Sequence, residues 1–351
     1  MESTSYLVIT VDNSSLPSFH MKINRYLTIL FIAIFLPLLV SCYDENLYLV
    51  YDDGRLLYIT NVANPNPALL LSEMHGISPD ASPNGQSLSF ISDNSSGRLI
   101  GTWDFISEIK WDSQPDFGAS VFNPTPINKS SYLFSGLGSN YLDIYTSSPQ
   151  KNITNFRSMD FEPSLSPNGD LITFTSNRIS NTDIYTNERP LSDRQAIEQV
   201  QEWSISERGI TYNTYRDHNI DIFISNLDGT NPIRLTTARA LDHQPDWSHD
   251  GNWIVFSSLR HNNSEIFTIR KDRTELKRLT NNQYNDEEPS WSPTGNLIAF
   301  VSDRSGSKDI YTMNPDGTNQ IRVTNTLSNV HSPTWIKCNP GFLGKVGKTC
   351  P

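Results

Sequence analysis

Between Asp286 and Thr324 the apolar and polar positions fall into four short runs separated by turn residues, DEEPSWSPTGNLIAFVSDRSGSKDIYTMNPDGTNQIRVT. Pro289 to Ser292 forms the first run. Leu297 to Val301 is an unbroken apolar stretch of β-formers, the pattern of a strand covered on both faces. Asp309-Ile310-Tyr311 opens a third strand. Asn314-Pro315-Asp316-Gly317 then supplies a tight turn with glycine where positive φ is wanted, and Gln320 to Thr324 completes a fourth strand.

This unit recurs. Trp203, Trp247, Trp291 and Trp335 are 44 residues apart, in EWSISERG, PDWSHDGN, PSWSPTGN and PTWIKCNP. Weaker copies are PSLSPNGD and PDASPNGQ, with Leu165 and Ala81 in the tryptophan's place. The third-strand signature recurs at Asp143-Ile144-Tyr145, Asp183-Ile184-Tyr185, Asp221-Ile222-Phe223 and Glu265-Ile266-Phe267. Its aromatic is expected to pack between units and its acid to satisfy backbone donors of the preceding loop. A fixed period near forty predicts an all-β propeller of four-stranded blades.

Leu47 to Leu71 holds strands but has no tryptophan-bearing first strand of its own. Pro333 to Ile336 would supply it and close the ring, pairing the terminal strands and leaving no exposed sheet edge. At about 42 residues per repeat, residues 47–338 make seven blades, or six if the irregular stretch from Ile100 to Asn128 is an insertion.

Met21 to Cys42, MKINRYLTILFIAIFLPLLVSC, has Lys22 and Arg25 leading an apolar run that is short and interrupted by Pro37. It reads as a secretory signal rather than a membrane span. Its end, Leu39-Val40-Ser41-Cys42, resembles the bacterial lipobox, which implies lipidation at Cys42. Tyr43, rather than Asp, after the cysteine implies the outer membrane, facing the periplasm. Residues 1–20 lack a basic lead and read as sequence upstream of the true start at Met21. Residues 42–46 are then a short linker and residues 339–351 a tail.

Composition fits a turn-rich β protein, with 21 Pro, 18 Gly and 11% aromatic residues. The net charge of −11 argues against nucleic acid, whose binders need Lys and Arg in excess. Cys338 and Cys350 bracket the tail; an exported compartment permits a disulfide between them, and two free thiols are the other reading.

The tryptophan turn, the I-A-F strand, the S-x-R loop, D-I-Y and the closing L-T are similar to the repeats of the TolB carboxy-terminal propeller. Prolyl oligopeptidase propellers and oligogalacturonate lyases share this repeat, so the resemblance implies fold more than function. TolB carries an α/β domain before its propeller, whereas a few residues separate Cys42 from Leu47 here. The resemblance therefore implies a TolB-like lipoprotein, a monomer that binds an envelope protein or glycan.

Strand alternation places the loop entering each first strand and the loop joining second to third strands on one face. The second-to-third loops carry Arg178, Arg216, Arg260 and Arg304 at equivalent positions. Four residues before each tryptophan stand Gln199, His243, Glu287 and His331, which by phase project toward the central channel. These eight residues are the candidate partner-binding set. The ring of His, Gln and Glu also suits a divalent transition ion, and a metal-dependent polysaccharide lyase is the alternative. The arginines have a structural reading as well, bracing each blade against a carboxylate of the neighbouring entering loop. No G-x-S-x-G or H-E-x-x-H is present, and the chain is too short for an attached hydrolase domain. The sequence thus implies neither an enzyme nor a cofactor.

Overall fold

The computed structural model describes residues 47–337 apart from short segments, the longest being 63–68, 71–76, 104–109 and 191–199. The described residues form seven four-stranded antiparallel sheets, with no helix among them. Blade I comprises β28 (His331–Lys337), β1 (Leu47–Asp52), β2 (Leu57–Asn61) and β3 (Leu69–Leu70). Blade II is β4 to β7 (Ile77–Ala81, Leu88–Asn94, Gly97–Trp103, Lys110–Asp112), and blade III is β8 to β11 (Val121–Asn128, Ser131–Leu137, Leu142–Ser147, Gln150–Asn152). Blade IV is β12 to β15 (Asp160–Leu165, Ile172–Ser176, Asp183–Thr186, Arg189–Pro190), and blade V is β16 to β19 (Val200–Ser206, Gly209–Arg216, Asn219–Ser225, Ile233–Arg234). Blade VI is β20 to β23 (Asp242–Trp247, Trp253–Ser258, Glu265–Arg270, Lys277–Arg278), and blade VII is β24 to β27 (Asp286–Trp291, Ile298–Ser302, Asp309–Met313, Ile321–Arg322).

The stretch Ile100–Asn128 is no insertion, because it supplies the end of β6, all of β7 and all of β8, which settles the count at seven. Its irregularity has a packing cause. Blade III lacks the tryptophan, and Phe117 instead joins Val121, Tyr132 and Phe134 in the core beside Ile91 and Ile100 of blade II.

Ring closure follows the expected pairing, with Leu49 opposite Trp335 and Tyr48 opposite Ile336. The Thr334 hydroxyl also donates to the Pro79 carbonyl at 3.0 Å, tying blade I to blade II. The core lies between blades. Trp291, Ile298, Phe300 and Tyr311 of blade VII pack on Val255 and Ile266 of blade VI, and Trp247 with Phe256 packs on Ile222 of blade V.

The third-strand acids are buried, but their donors differ from expectation. They come mainly from the outer strand and the loop beyond it. Arg322 donates to Asp309 at 2.6 Å, Arg278 to Glu265 at 2.7 Å and Arg234 to Asp221 at 2.5 Å. Thr324 and Thr236 hydroxyls reach the acids of their own blades. The preceding loop adds further side-chain bonds, from Ser305 and Ser307 to Asp309 and from Asn263 to Glu265. The reason is geometric: the closing R-x-T segment is the antiparallel neighbour of the third strand, so its long side chains lie across it.

Candidate functional site

Each first strand is bent by a register shift ahead of its tryptophan position. The residue at the bend stands before proline and adopts positive φ in six blades: Ser78, Asn123, Glu162, Gln244, Glu288 and Ser332. A non-glycine residue in this region costs about 1 kcal/mol or more. The bend turns its N–H onto the preceding blade. Glu288 N–H donates to Gln244 Oε1 at 2.9 Å, Ser332 N–H to Glu288 Oε2 at 2.8 Å, and Glu162 N–H to Ser135 Oγ at 3.2 Å.

The residue after that proline also links blades. Asp246 accepts from Ser204 of blade V at 2.7 Å and from Trp291 N–H of blade VII at 2.8 Å. Burial raises its pKa, against these bonds. At the same position in blade II, burial pushes Asp80 up to about 6, with the Thr125 hydroxyl and Ala81 N–H pulling part of the way back. A carboxyl whose folded value exceeds its unfolded value destabilises the charged folded state above pH 6, and stability recovers as pH falls from about 6 toward 4. Asp80→Asn is therefore expected to raise Tm at pH 7.5 and to flatten that rise on acidification, as read by thermal scans across pH.

Of the predicted ring residues, His243, Glu287 and His331 lie at the starts of the first strands of their blades. His243 is half-buried, its pKa lowered by burial while the charges of Glu287 and Asp242 oppose the shift. Glu287 pairs with Lys308 at 3.0 Å, and His331 Nδ1 lies 3.3 Å from Glu288 Oε1. Thus His331 is engaged by the bend residue Glu288, and Glu287 by a lysine. Among the described residues no group of three or more His, Cys, Asp or Glu is placed to hold a metal. Gln199, Cys42, Cys338 and Cys350 lie outside the described residues, as does the side chain of Arg216 at the end of β17.

Arg178, Arg260 and Arg304 each bind the aspartate that opens the first strand of their own blade. The distances are 2.8 Å to Asp160, 2.7 Å to Asp242 and 2.8 Å to Asp286, and all three carboxylates are fully buried. Bracing to a neighbouring blade is thereby corrected: first and second strands pair directly, and this pairing sets each aspartate beside the arginine that follows its partner strand. Each guanidinium also covers aromatic rings, as Arg304 does over Tyr311 at 4.7 Å and Phe300 at 5.3 Å.

The same face carries a feature that sequence reasoning missed. On this face, the upper one, Phe122 at the start of β8, Leu137 at the end of β9, and Tyr141, Phe156 and Met159 in the loops of blade III and into blade IV are exposed. Tyr215, Leu241, Leu259 and Tyr284 continue the series across blades V to VII. Only Leu276 and Ile321, of the large hydrophobics that are exposed among the described residues, lie elsewhere. Phe156 is held on the Arg178 guanidinium at 3.9 Å and Phe122 under Arg98 at 4.8 Å, so parts of this apolar rim are braced.

Residues 186–339 match the family model described as the TolB beta propeller domain. The blades within this stretch are similar to those of TolB propellers. The match covers the regular tryptophan-bearing blades and stops short of the copies in which Leu165 and Ala81 replace tryptophan. No curated protein sequence matches the chain.

TolB-type blades also appear in the structural comparisons. A putative TolB from Agrobacterium tumefaciens is 20% identical at TM-score 0.52, over 79% of this chain and 88% of that one. TolB from Acinetobacter baumannii is 16% identical at TM-score 0.55, over 88% of this chain and 71% of that one. The propeller domain of the Trilobed protease from Pyrococcus furiosus is 13% identical at TM-score 0.56, over 77% of this chain and 86% of that one. These likenesses concern the fold. The Pyrococcus domain is described as having an open velcro topology, whereas β28 and β1 pair here.

Proposed function

We propose that this chain is a lipid-anchored TolB-like propeller that binds a protein partner of the cell envelope through its upper face, without catalysis. The observation that carries this reading is the concentration of exposed large apolar side chains on that face. Isolated exposed hydrophobics are ordinary on proteins, but a series collected on one face supports a partner surface. Aromatic and Met side chains mixed with arginine match the composition of protein interfaces. The polar groups between them are engaged within and between blades, so they frame the surface and leave the apolar side chains as its anchors. The lipobox at Cys42 supports tethering at the membrane, and the TolB-type blades support an envelope location.

Met159→Ser, Leu241→Ser and Tyr284→Ser change side chains that are 48%, 41% and 38% exposed, so Tm should stay within a few degrees. The combined variant is expected to lower recovery of the cross-linked partner from membranes by about tenfold or more, as loss of anchor residues does at interfaces. Recovery equal to that of the unaltered protein would remove this face from consideration. Cys42→Ser is expected to move the protein from the membrane to the soluble fraction.

A further inference from the structure

On the opposite face, between blades VI and VII, a cleft of about 510 Å³ opens among the turns that join first to second and third to fourth strands. This size suits a small ligand or one side chain with its flanks. Trp253 and Trp291 form apolar walls; His249, Asp250, Glu275, Lys277 and Asp316 supply the polar lining.

Two of these residues depart from the repeat. The blade VI turn reads WSHDGNW where blade VII has WSPTGNL, so His249 stands for Pro293 and Trp253 for Leu297. Trp253 is partly buried and packs in part against the core shared by blades VI and VII, so the larger indole in place of leucine both covers that core and adds an aromatic wall to the cleft.

The charge of the cleft identifies its ligand class. Asp250, Glu275 and Asp316 oppose the single lysine of the lining, and with Arg270, its second partner Asp272 and Lys271 on the Gly251 carbonyl added, four carboxylates face three cations. Two of these carboxylates have their directional capacity taken up at home. Asp250 accepts from Ser248, from Asn252 N–H and from the Asn252 amide. Asp316 accepts from Thr318 N–H and hydroxyl. They therefore act on a ligand as fixed charges more than as acceptors for hydroxyls, which disfavours a sugar. Trp253 already carries the Arg270 guanidinium 5.6 Å from its ring centroid, so the indole is in use as a cation acceptor.

We propose that this cleft binds an organic cation with an apolar stem, an alkylammonium group held by the tryptophan walls and the anchored carboxylates. The group could come from a free polyamine or from the lysine side chain of a peptide, and the test separates the two. Isothermal titration of the purified protein at low ionic strength uses spermidine, Nα-acetyl-lysine amide and, as a neutral control, maltose. Saturable binding of at least one cation, with none of maltose, is expected; whichever cation binds names the source. Trp253→Leu restores the residue of blade VII and should weaken binding at least tenfold. Asp316→Asn keeps the acceptor for Thr318 while removing the charge, and should weaken it about threefold or more at low salt. If Trp253→Leu proves unfolded by circular dichroism, Asp316→Asn decides alone. No saturable binding of either cation, equal binding of maltose, or unchanged affinity in the folded variants overturns the proposal.

Discussion

Deleting residues 331–351 is expected to yield a chain that fails to form a cooperatively folded monomer, while deleting only 339–351 leaves folding intact. The first deletion removes β28, the inner strand of blade I. With it go Trp335 and Ile336, 5% and 0% exposed, the bond from Trp335 Nε1 to Ser290 O at 3.0 Å, and the Thr334 tie to blade II. Loss of one buried tryptophan side chain costs about 3–5 kcal/mol, against a total stability of about 5–15 kcal/mol for typical domains. The deletion also bares β1, whose six residues are all buried, as an unpaired apolar edge suited to association between chains. Size-exclusion chromatography and thermal unfolding read the difference. Trp335→Ala alone should stay folded but lose about 3–5 kcal/mol.

Arg304→Ala is expected to destabilise the protein by about 3–5 kcal/mol, the usual cost of stranding one partner of a buried pair. Asp286 is fully buried, with Oδ2 held by Arg304 at 2.8 Å and by Asn282 at 2.7 Å. Without the guanidinium only the amide remains among these side-chain donors to it. Arg304→Lys should recover little, since an ammonium can neither form the fork to Ser302 and Gln320 nor lie flat on Tyr311. Replacing Asp286 and Arg304 together by Asn and Leu should cost less than Arg304→Ala, because no charge is left buried alone. Urea unfolding of the four proteins measures this. A weakened partner interaction in an Arg304 variant therefore has to be read beside its stability, which is why the exposed apolar residues are the cleaner probes.

The tryptophan period exposed the blades because the indoles of Trp247 and Trp291 fill equivalent gaps between neighbours, and Trp335 without a following blade announced the closure. Blades II and III were fainter, since Ala81 occupies that gap in one and Phe117 reaches in from outside the strand in the other. The bends were hidden for a backbone reason. A residue before proline ordinarily reads as extended, and Gln244 or Glu288 gives no hint that it takes positive φ until its N–H is seen bound to the previous blade. The partners of His243, Glu287 and His331 depend on adjacent blades and were not legible. Nor was the apolar rim, because single hydrophobics scattered among loops carry no period.

The central claim is that a protein partner seats on the upper face. Photo-cross-linking from benzoylphenylalanine placed at Tyr284 and at Leu241, with Leu276 as the position on the opposite face, tests it in intact membranes. The account predicts one adduct of the same mass from both upper positions and none of that mass from Leu276. An adduct formed only from Leu276, or none from either upper position, would contradict it.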